Sequence, residues 1–367
     1  MHIGILNEVN DARVALIPDI VKQLVNDKNQ VNVEINAGNS SYFSNQDYTD
    51  AGAQVLPRQQ VLSQSEIIIT LSPLEETDLS VVKEKTILIS SYQPFADLSY
   101  LEKTVRFPVT VLSLDMIPRI TIAQAMDVLS SMASIAGYKA VLMAANQLPR
   151  YFPMLTTAAG SIPPAKTLVL GAGVAGLQAI ATAKRLGSVV EAFDTRLAAR
   201  EEVQSLGAKF VEVEGARDDK AAGGYAVEQT EEYKQRQAAL IQEKAVKSDI
   251  IIATAQIRGR KAPLLVTKET IEQMKPGSVI VDLASSTGGN CELTQDKITI
   301  HHKGITIIGN SDLAATMPMH SSQLFSKNIF NFMKVFLKQG QLNFDINNEI
   351  MKASCIMLEG KQLFQKK

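Results

Sequence analysis

Gly171, Gly173 and Gly176 stand at the spacing G-x-G-x-x-G, and Asp194 follows about 20 residues beyond them. Each residue type answers a physical need. The first glycine permits a sharp turn, the second lets backbone approach a pyrophosphate, and the third lets the following helix pack closely on the strand. The N–H groups at that helix's start, from Val174 on, make an anion site. A carboxylate at 194 accepts hydrogen bonds from the hydroxyls of an adenosine ribose and repels a 2′-phosphate, which favours NAD(H) over NADP(H). Thr195 and Arg196 complete this cofactor stretch. Arg196 is a counter-signal, since an arginine there can accept a 2′-phosphate. The bland alternative puts the glycines in an ordinary tight turn and Asp194 at a strand end. It loses ground because strand, turn, helix and acid all fall where the chemistry needs them.

A second cluster lies in 120–147, ITIAQAMDVLSSMASIAGYKAVLMAANQ. Gln124, Asp127 and Ser130 recur at spacings of three, which on a helix sets them roughly along one face, with Arg119 just ahead. From spacing alone the favoured reading is an N-terminal cap plus a satisfied polar network. The surrounding pattern is rich in Ala, Met and Leu, so a long helix buried on most faces is expected, with Gly137 bending it or splitting it. Cys291 and Cys355 have no partner at metal-ligand spacing, and His301 and His302 would point to opposite faces of a strand, so no metal site is expected.

The elements that must position these residues alternate between strand and helix. Thr167–Leu170 leads into the glycine turn, helix formers run from Val174 to Leu186, and Gly187 suits the position past the helix end. Val189, Val190, Ala192 and Phe193 form a strand ending on Asp194. Phe210–Val213, Ile250–Ala255, Val279–Leu283 and Ile305–Ile308 continue the array, the last closing the sheet. Beyond the carboxyl ends, where ligands of such sheets sit, lies Gln256. Earlier, Ile3–Leu6, Val31–Ile35, Ile67–Leu71, Ile87–Ser90 and Val109–Leu112 read as strands of a separate α/β domain with a helix near Asp19–Val25. Residues 151–165 read as a loop or projecting hairpin, and polar 215–237 as either a lid hinged at Gly223–Gly224 or a solvated insertion. Helices near Ser321–Lys338 and Asn347–Leu358 are expected to return to the first domain. The expected fold is α/β, with two Rossmann-like domains of parallel sheets linked by long buried helices and an NAD site in the interdomain cleft. The expected domains are 1–128 plus 320–367, and 129–319.

The 367 residues suit two domains, and a net charge of −1 without a basic stripe gives nucleic acid no footing. The N-terminus has neither a basic n-region nor a long apolar segment, no stretch reads as a membrane span, and two cysteines fit a reducing cytosol.

Several stretches together go further: RVALIP (Arg13–Pro18), IAGYKAV (Ile135–Val141), GAGVAGLQAIAT (Gly171–Thr182), AFDTR (Ala192–Arg196), GGYA (Gly223–Ala226), GSVIVDL (Gly277–Leu283) and GGNC (Gly288–Cys291). Over nearly its full length the chain resembles the NAD(H)-binding subunit family of proton-translocating nicotinamide nucleotide transhydrogenases, relatives of alanine dehydrogenase. The resemblance implies a soluble, dimeric, peripheral subunit on the inner face of the cell membrane. Such a subunit binds NAD(H) and exchanges hydride directly with NADP(H) held on a different component, while a membrane component moves the proton. It implies that Arg119, Gln124 and Asp127 hold the carboxamide and ribose side of NAD(H), with Ser130 assisting. It makes Gly224 and Tyr225 part of a loop closing over the nucleotide, with Gln237 behind it, and assigns 151–165 to dimer contacts. The sequence departs from the family pattern at Ser285–Ser286–Thr287 before GGN, at Gln256 and Arg258, and across 310–319. Alanine dehydrogenase is the nearest enzyme alternative. It needs a lysine and a histidine where this chain has Ser72 and Gln93, so the proton-transfer partner for oxidative deamination is missing. Arg13 could bind a carboxylate or serve as a structural ion-pair residue. A catalytically silent NAD(H)-binding regulatory subunit is the alternative from another class.

Overall fold

Short runs of β-branched residues, buried on both faces, build two sheets. A computed structural model describes residues 1–213 and 230–365. The chain divides into two compact units, Met1–Met132 with Ala315–Lys367, and Ala133–Ala314.

In the first unit, β1 (His2–Ile5), β2 (Gln30–Glu34), β3 (Gln54–Leu56), β4 (Ile67–Ile69), β5 (Ile87–Ser90) and β6 (Thr110–Ser113) run parallel in the order β6-β5-β4-β1-β2-β3. The sheet continues past β6 with two C-terminal strands, Cys355–Leu358 and Lys361–Gln362, paired antiparallel. The helix expected over Asn347–Leu358 is therefore short. Asn348 caps it by accepting from the N–H groups of Ile350 and Met351, it runs Glu349–Ser354, and the chain then straightens onto the edge of β6. Helix α1 is Pro18–Asn26. The RVALIP segment is fixed by the penultimate long helix, Pro318–Met333, whose Ser322 and Ser326 hydroxyls accept from Val14 N–H (2.9 Å) and Ile17 N–H (3.0 Å).

The second unit carries β7 (Lys166–Leu170), β8 (Val189–Phe193), β9 (Lys209–Phe210), β10 (Ile250–Ala253), β11 (Val279–Asp282), β12 (Ile298–His302) and β13 (Ile305–Gly309), in the order β9-β8-β7-β10-β11-β13-β12. All pairs are parallel except β12 with β13. The strand expected to close the sheet is thus covered by an antiparallel edge strand. Lys303 and Gly304, both at positive φ, supply the two-residue turn that allows it. On β12, His302 Nε2 lies 2.9 Å from Glu272 while His301 Nδ1 lies 3.2 Å from Thr306 Oγ1, so the pair does face apart. The parallel strands follow the dinucleotide-fold order, with the switch point between β7 and β10.

The helix expected over 120–147 is interrupted. Thr121–Met126 is a 3-10 turn, Asp127 is extended (φ −76°, ψ 91°), and only Val128–Gln147 is α-helix, here α2. Gly137 does not split α2, which runs through it unbroken. A Cβ there would lie 2.1 Å from the Ala175 carbonyl oxygen, so glycine permits close approach of two backbones. The helix is also only partly buried: Ile135, Ala136, Ala140, Val141 and Ala144 are interior, while Leu129 and Tyr138 are exposed. Its 20 residues, with mean hydropathy 1.4, reach the length and composition of a membrane span, contrary to the expectation from sequence. Its buried face is nonetheless used in the core around β7 and β10. The segment before β7 forms an exposed hairpin, Leu155–Thr157 with Gly160–Ile162.

Candidate functional site

The carboxyl end of β7 turns at Gly171, whose φ of +97° is closed to most side chains. Gly173 is the N-cap of α3 (Val174–Arg185), in extended conformation, and a Cβ there would meet nothing within 4 Å. At Gly176 a Cβ would lie 1.9 Å from the Gly171 carbonyl oxygen, so the helix rests directly on the turn. Thr254, at the end of β10, donates its hydroxyl to that same carbonyl (3.0 Å) and locks the turn across the switch point. The tight turn expected at Gly171 and the close helix packing expected at Gly176 are both present, and the backbone at Gly173 faces open space. Exposed Val174 opens the helix, and the first N–H groups of α3 have no intrahelical acceptor.

Asp194 leaves the end of β8 with its side chain largely buried. Its Oδ2 accepts from Ala172 N–H (2.8 Å), inside the glycine turn, and from Arg196 Nη2 (2.9 Å). Its Oδ1 accepts from Arg196 N–H (2.8 Å) and Arg196 Nε (2.9 Å). Arg196 thus grips the carboxylate with backbone and side chain, and the grip holds its guanidinium further toward the charged form. Thr195 is half-buried between them. Tyr233, on α4 (Glu231–Val246), lies close enough that the Asp194 charge adds to burial in raising its phenol pKa.

A buried network at the ends of β10 and β11 went unrecognised in the sequence. Asp282 is fully buried; its Oδ2 accepts from Asn290 N–H (2.7 Å), Cys291 N–H (3.0 Å) and Thr294 Oγ1 (2.8 Å), and its Oδ1 from Ala284 N–H (2.9 Å). Burial pushes this carboxyl's pKa up, and these bonds pull against it. Asn290 in turn accepts from Ala255 N–H (3.0 Å) and donates to the carbonyls of Ala255 (2.9 Å) and Pro263 (2.8 Å). One amide therefore fixes the backbone on which Gln256 stands. Gln256 is exposed and donates to the Leu283 carbonyl (3.0 Å). The signal was present: an acid ends a buried strand, and two positive-φ glycines (Gly288, Gly289) precede the asparagine. Burial pushes the Cys291 thiol up to about 11, so it stays protonated at neutral pH.

The cluster at 119–130 does not lie on one face of a single helix, because Asp127 breaks it. Aspartate competes with the helix for its own backbone groups and favours the cap. Its Oδ1 accepts from Ser130 N–H (2.9 Å) and its Oδ2 from the Ser130 hydroxyl (2.6 Å), tying these two residues together. Arg119 and Gln124 are exposed on the approach. All four belong to the first unit, whereas the glycine turn, Asp194–Arg196 and Gln256 belong to the second. Arg13 forms an ion pair with Asp11 and donates to Met132 Sδ (3.3 Å). Ser72 and Gln93 are exposed; their N–H groups donate to Glu8 and Asp115. Gln237 is half-buried on α4. Gly224, Tyr225 and the rest of the expected lid across 214–229 lie outside the described residues.

These features define a class: a two-unit α/β protein whose second unit is a dinucleotide-binding domain. Residues 4–136 match the N-terminal domain, and residues 140–365 the C-terminal domain, of the alanine dehydrogenase/PNT family. The NAD(P) transhydrogenase subunit alpha (first part) of Rickettsia prowazekii is 42% identical over 96% of this chain and 93% of its own length. The NAD(P) transhydrogenase subunit alpha of Haemophilus influenzae is 40% identical over 99% of this chain and 72% of its own length. The crystal structure of transhydrogenase from Sinorhizobium meliloti superposes with a TM-score of 0.89 at 38% identity, covering 99% of this chain and 100% of that one. An L-alanine dehydrogenase structure (TM-score 0.78, 23% identity, 99% of this chain and 97% of that one) shares the fold.

The chain belongs to the alanine dehydrogenase/PNT family and groups with its NAD(P) transhydrogenase alpha subunits. It is accordingly an oxidoreductase subunit of the kind that handles nicotinamide nucleotides, and the alpha designation of its relatives implies partner subunits.

Proposed function

We propose that this chain is the NAD(H)-binding subunit of a proton-translocating transhydrogenase, working as a homodimer. The observation that carries the choice of NAD(H) is the Asp194 carboxylate, bonded to Ala172 N–H within the glycine turn, so that ribose and pyrophosphate recognition share one rigid unit. Gly173 leaves backbone open to a pyrophosphate, and the N-terminus of α3 faces it with a favourable dipole. Val174, Thr195, Gln256 and Gln237, with Gly224 and Tyr225, complete the nucleotide contacts in this reading. Arg119, Gln124, Asp127 and Ser130 hold the carboxamide and ribose on the nicotinamide side.

NADH, when bound, supplies a hydride to NADP⁺ held on a partner subunit. The protein's own contribution is positioning, because a direct transfer between two nicotinamide rings takes up no proton at carbon. Asp127 suits that role, since Ser130 fixes its carboxylate through two bonds and about two acceptor positions stay open for a ligand. Ser72 and Gln93 offer no proton-transfer group, which weighs against oxidative deamination. In this reading a separate membrane subunit couples the transfer to proton movement and holds the chain on the inner face of the cell membrane.

The test is hydride transfer from NADH to a spectrally distinct NADP⁺ analogue, with and without a purified NADP(H)-binding subunit. Transfer that appears only with that subunit supports the proposal. Tight NADH binding with no transfer would favour a silent regulatory subunit instead, and turnover of pyruvate with ammonia would favour alanine dehydrogenase.

A further inference from the structure

A carboxylate offers about four acceptor positions. At Asp194 four bonds occupy them, and Arg196 makes three of these, through its N–H, Nε and Nη2. The fourth comes from Ala172 N–H and belongs to the glycine turn. A ribose diol that is to donate to Asp194 finds no unused acceptor. The bonds from backbone N–H groups are set by the turn and by the 194–196 loop. Those from the guanidinium hang on the end of a long side chain that is 30% exposed.

We propose that Arg196 is a displaceable occupant of the adenosine-ribose subsite, whose guanidinium must swing off Asp194 before the diol of NAD(H) can bind. The inference rests on the NAD(H) reading above and adds a residue that sets both affinity and discrimination. While closed, the pair makes the binding-competent arrangement a minority, and the observed affinity falls by that fraction. Once displaced, the guanidinium lies within side-chain reach of the ribose 2′ position. A guanidinium can pair with a 2′-phosphate, so the residue that weakens NADH binding also softens the rejection of NADPH. Retaining arginine beside the acid is thus a compromise between tight NADH binding and a closed, preorganised carboxylate.

The test titrates NADH and NADPH against the full chain, its Arg196→Gln variant and its Arg196→Lys variant, following nucleotide fluorescence, with thermal melting of each protein alongside. The chain has no Trp, so the protein background is low. Breaking the two-pronged grip should tighten NADH by about three- to tenfold in the Gln variant and by less in the Lys variant. NADPH should not gain in the Gln variant, so discrimination widens. Weaker NADH binding in both variants would overturn the proposal, since Arg196 would then brace the loop or touch the nucleotide directly. Equal affinities across all three proteins would overturn it as well. Absence of saturable NADH binding by the parent chain would instead sink the NAD(H) reading, and the proposal with it. Should the Gln variant melt too low to titrate, the Lys variant alone decides between tightening and loss.

Discussion

Gly173 and Gly176 differ by one helical turn, and the same substitution at each should have opposite consequences. At Gly173, φ is −78° and ψ is −168°, values an alanine adopts freely, and a Cβ would have no neighbour within 4 Å. Reduced freedom of the unfolded chain favours alanine by about 0.4–1 kcal/mol. The N-cap preference for glycine over alanine opposes it by a similar amount, so stability should stay within about 0.5 kcal/mol of the parent. Binding should not survive as well. The new methyl group stands where the second glycine lets a pyrophosphate approach, and each charge-assisted backbone bond lost there is worth about 1.5–3 kcal/mol. Gly173→Ala should therefore weaken NADH by roughly ten- to a hundredfold in a protein that melts normally. At Gly176 the Cβ would lie 1.9 Å from a backbone carbonyl oxygen that cannot rotate away. Relief requires α3 to move off the turn, an overpacking cost of about 1–3 kcal/mol. Gly176→Ala should lose stability and binding together. Thermal melts with NADH fluorescence titrations read both quantities. A Gly173→Ala protein with the parent's NADH affinity would refute the assignment of this turn to a pyrophosphate.

Gln124→Asn should leave NADH affinity within about threefold but slow transfer to the partner's nucleotide tenfold or more, since ring positioning rather than adenosine contact is lost; an unchanged rate in the reconstituted assay would remove Gln124 from its role. Asn290→Ala leaves the N–H and carbonyl of Ala255 and the carbonyl of Pro263 without their partner. It should cost about 2–4 kcal/mol in a denaturant titration, and a cost below about 0.5 kcal/mol would contradict the network. Burial pushes the Glu8 carboxyl up from 4.5 to about 7, with Asp11 adding and Arg13 opposing. The folded state then holds that proton more tightly than the unfolded one, so Glu8's contribution to stability declines as pH rises from about 4.5 to 7 and levels off above. Glu8→Gln should flatten that limb of the stability–pH curve, and an identical slope in both proteins would dismiss Glu8 as its source.

What could be read in the sequence was local or doubly buried. The glycine turn announces itself because its three roles are played out within one strand–turn–helix unit. Runs such as Ile67–Ile69 and Ile250–Ala253 announce strands because both faces are covered. The misreadings share the opposite property. Cys355–Leu358 becomes a strand only because the distant edge of β6 accepts it, and nothing within the segment encodes that edge. Gly137 looks like a helix break until the Ala175 backbone arrives against it. Asp127, placed by spacing roughly on one face with Gln124 and Ser130, instead caps the start of α2 by accepting from Ser130 N–H, in line with the capping reading.

Three carboxylates make the same point in chemical terms. Asp282, Asp194 and Asp127 each end or begin an element and each accepts backbone N–H groups, so the sequence alone cannot rank them. Their remaining acceptor capacity can. Asp282 is fully buried with four bonds, which leaves it a structural post for the GGN loop. Asp194 also has four, but two come from the Arg196 guanidinium, the bonds that on the inference above a ligand exchanges. Asp127 spends two bonds on Ser130 and keeps the rest. A carboxylate held rigidly by its own chain, with acceptor positions open or openable, is what a positioning site needs. Asp194 and Asp127 meet that description and Asp282 does not, which is why we propose nucleotide recognition for the first two and loop geometry for the third.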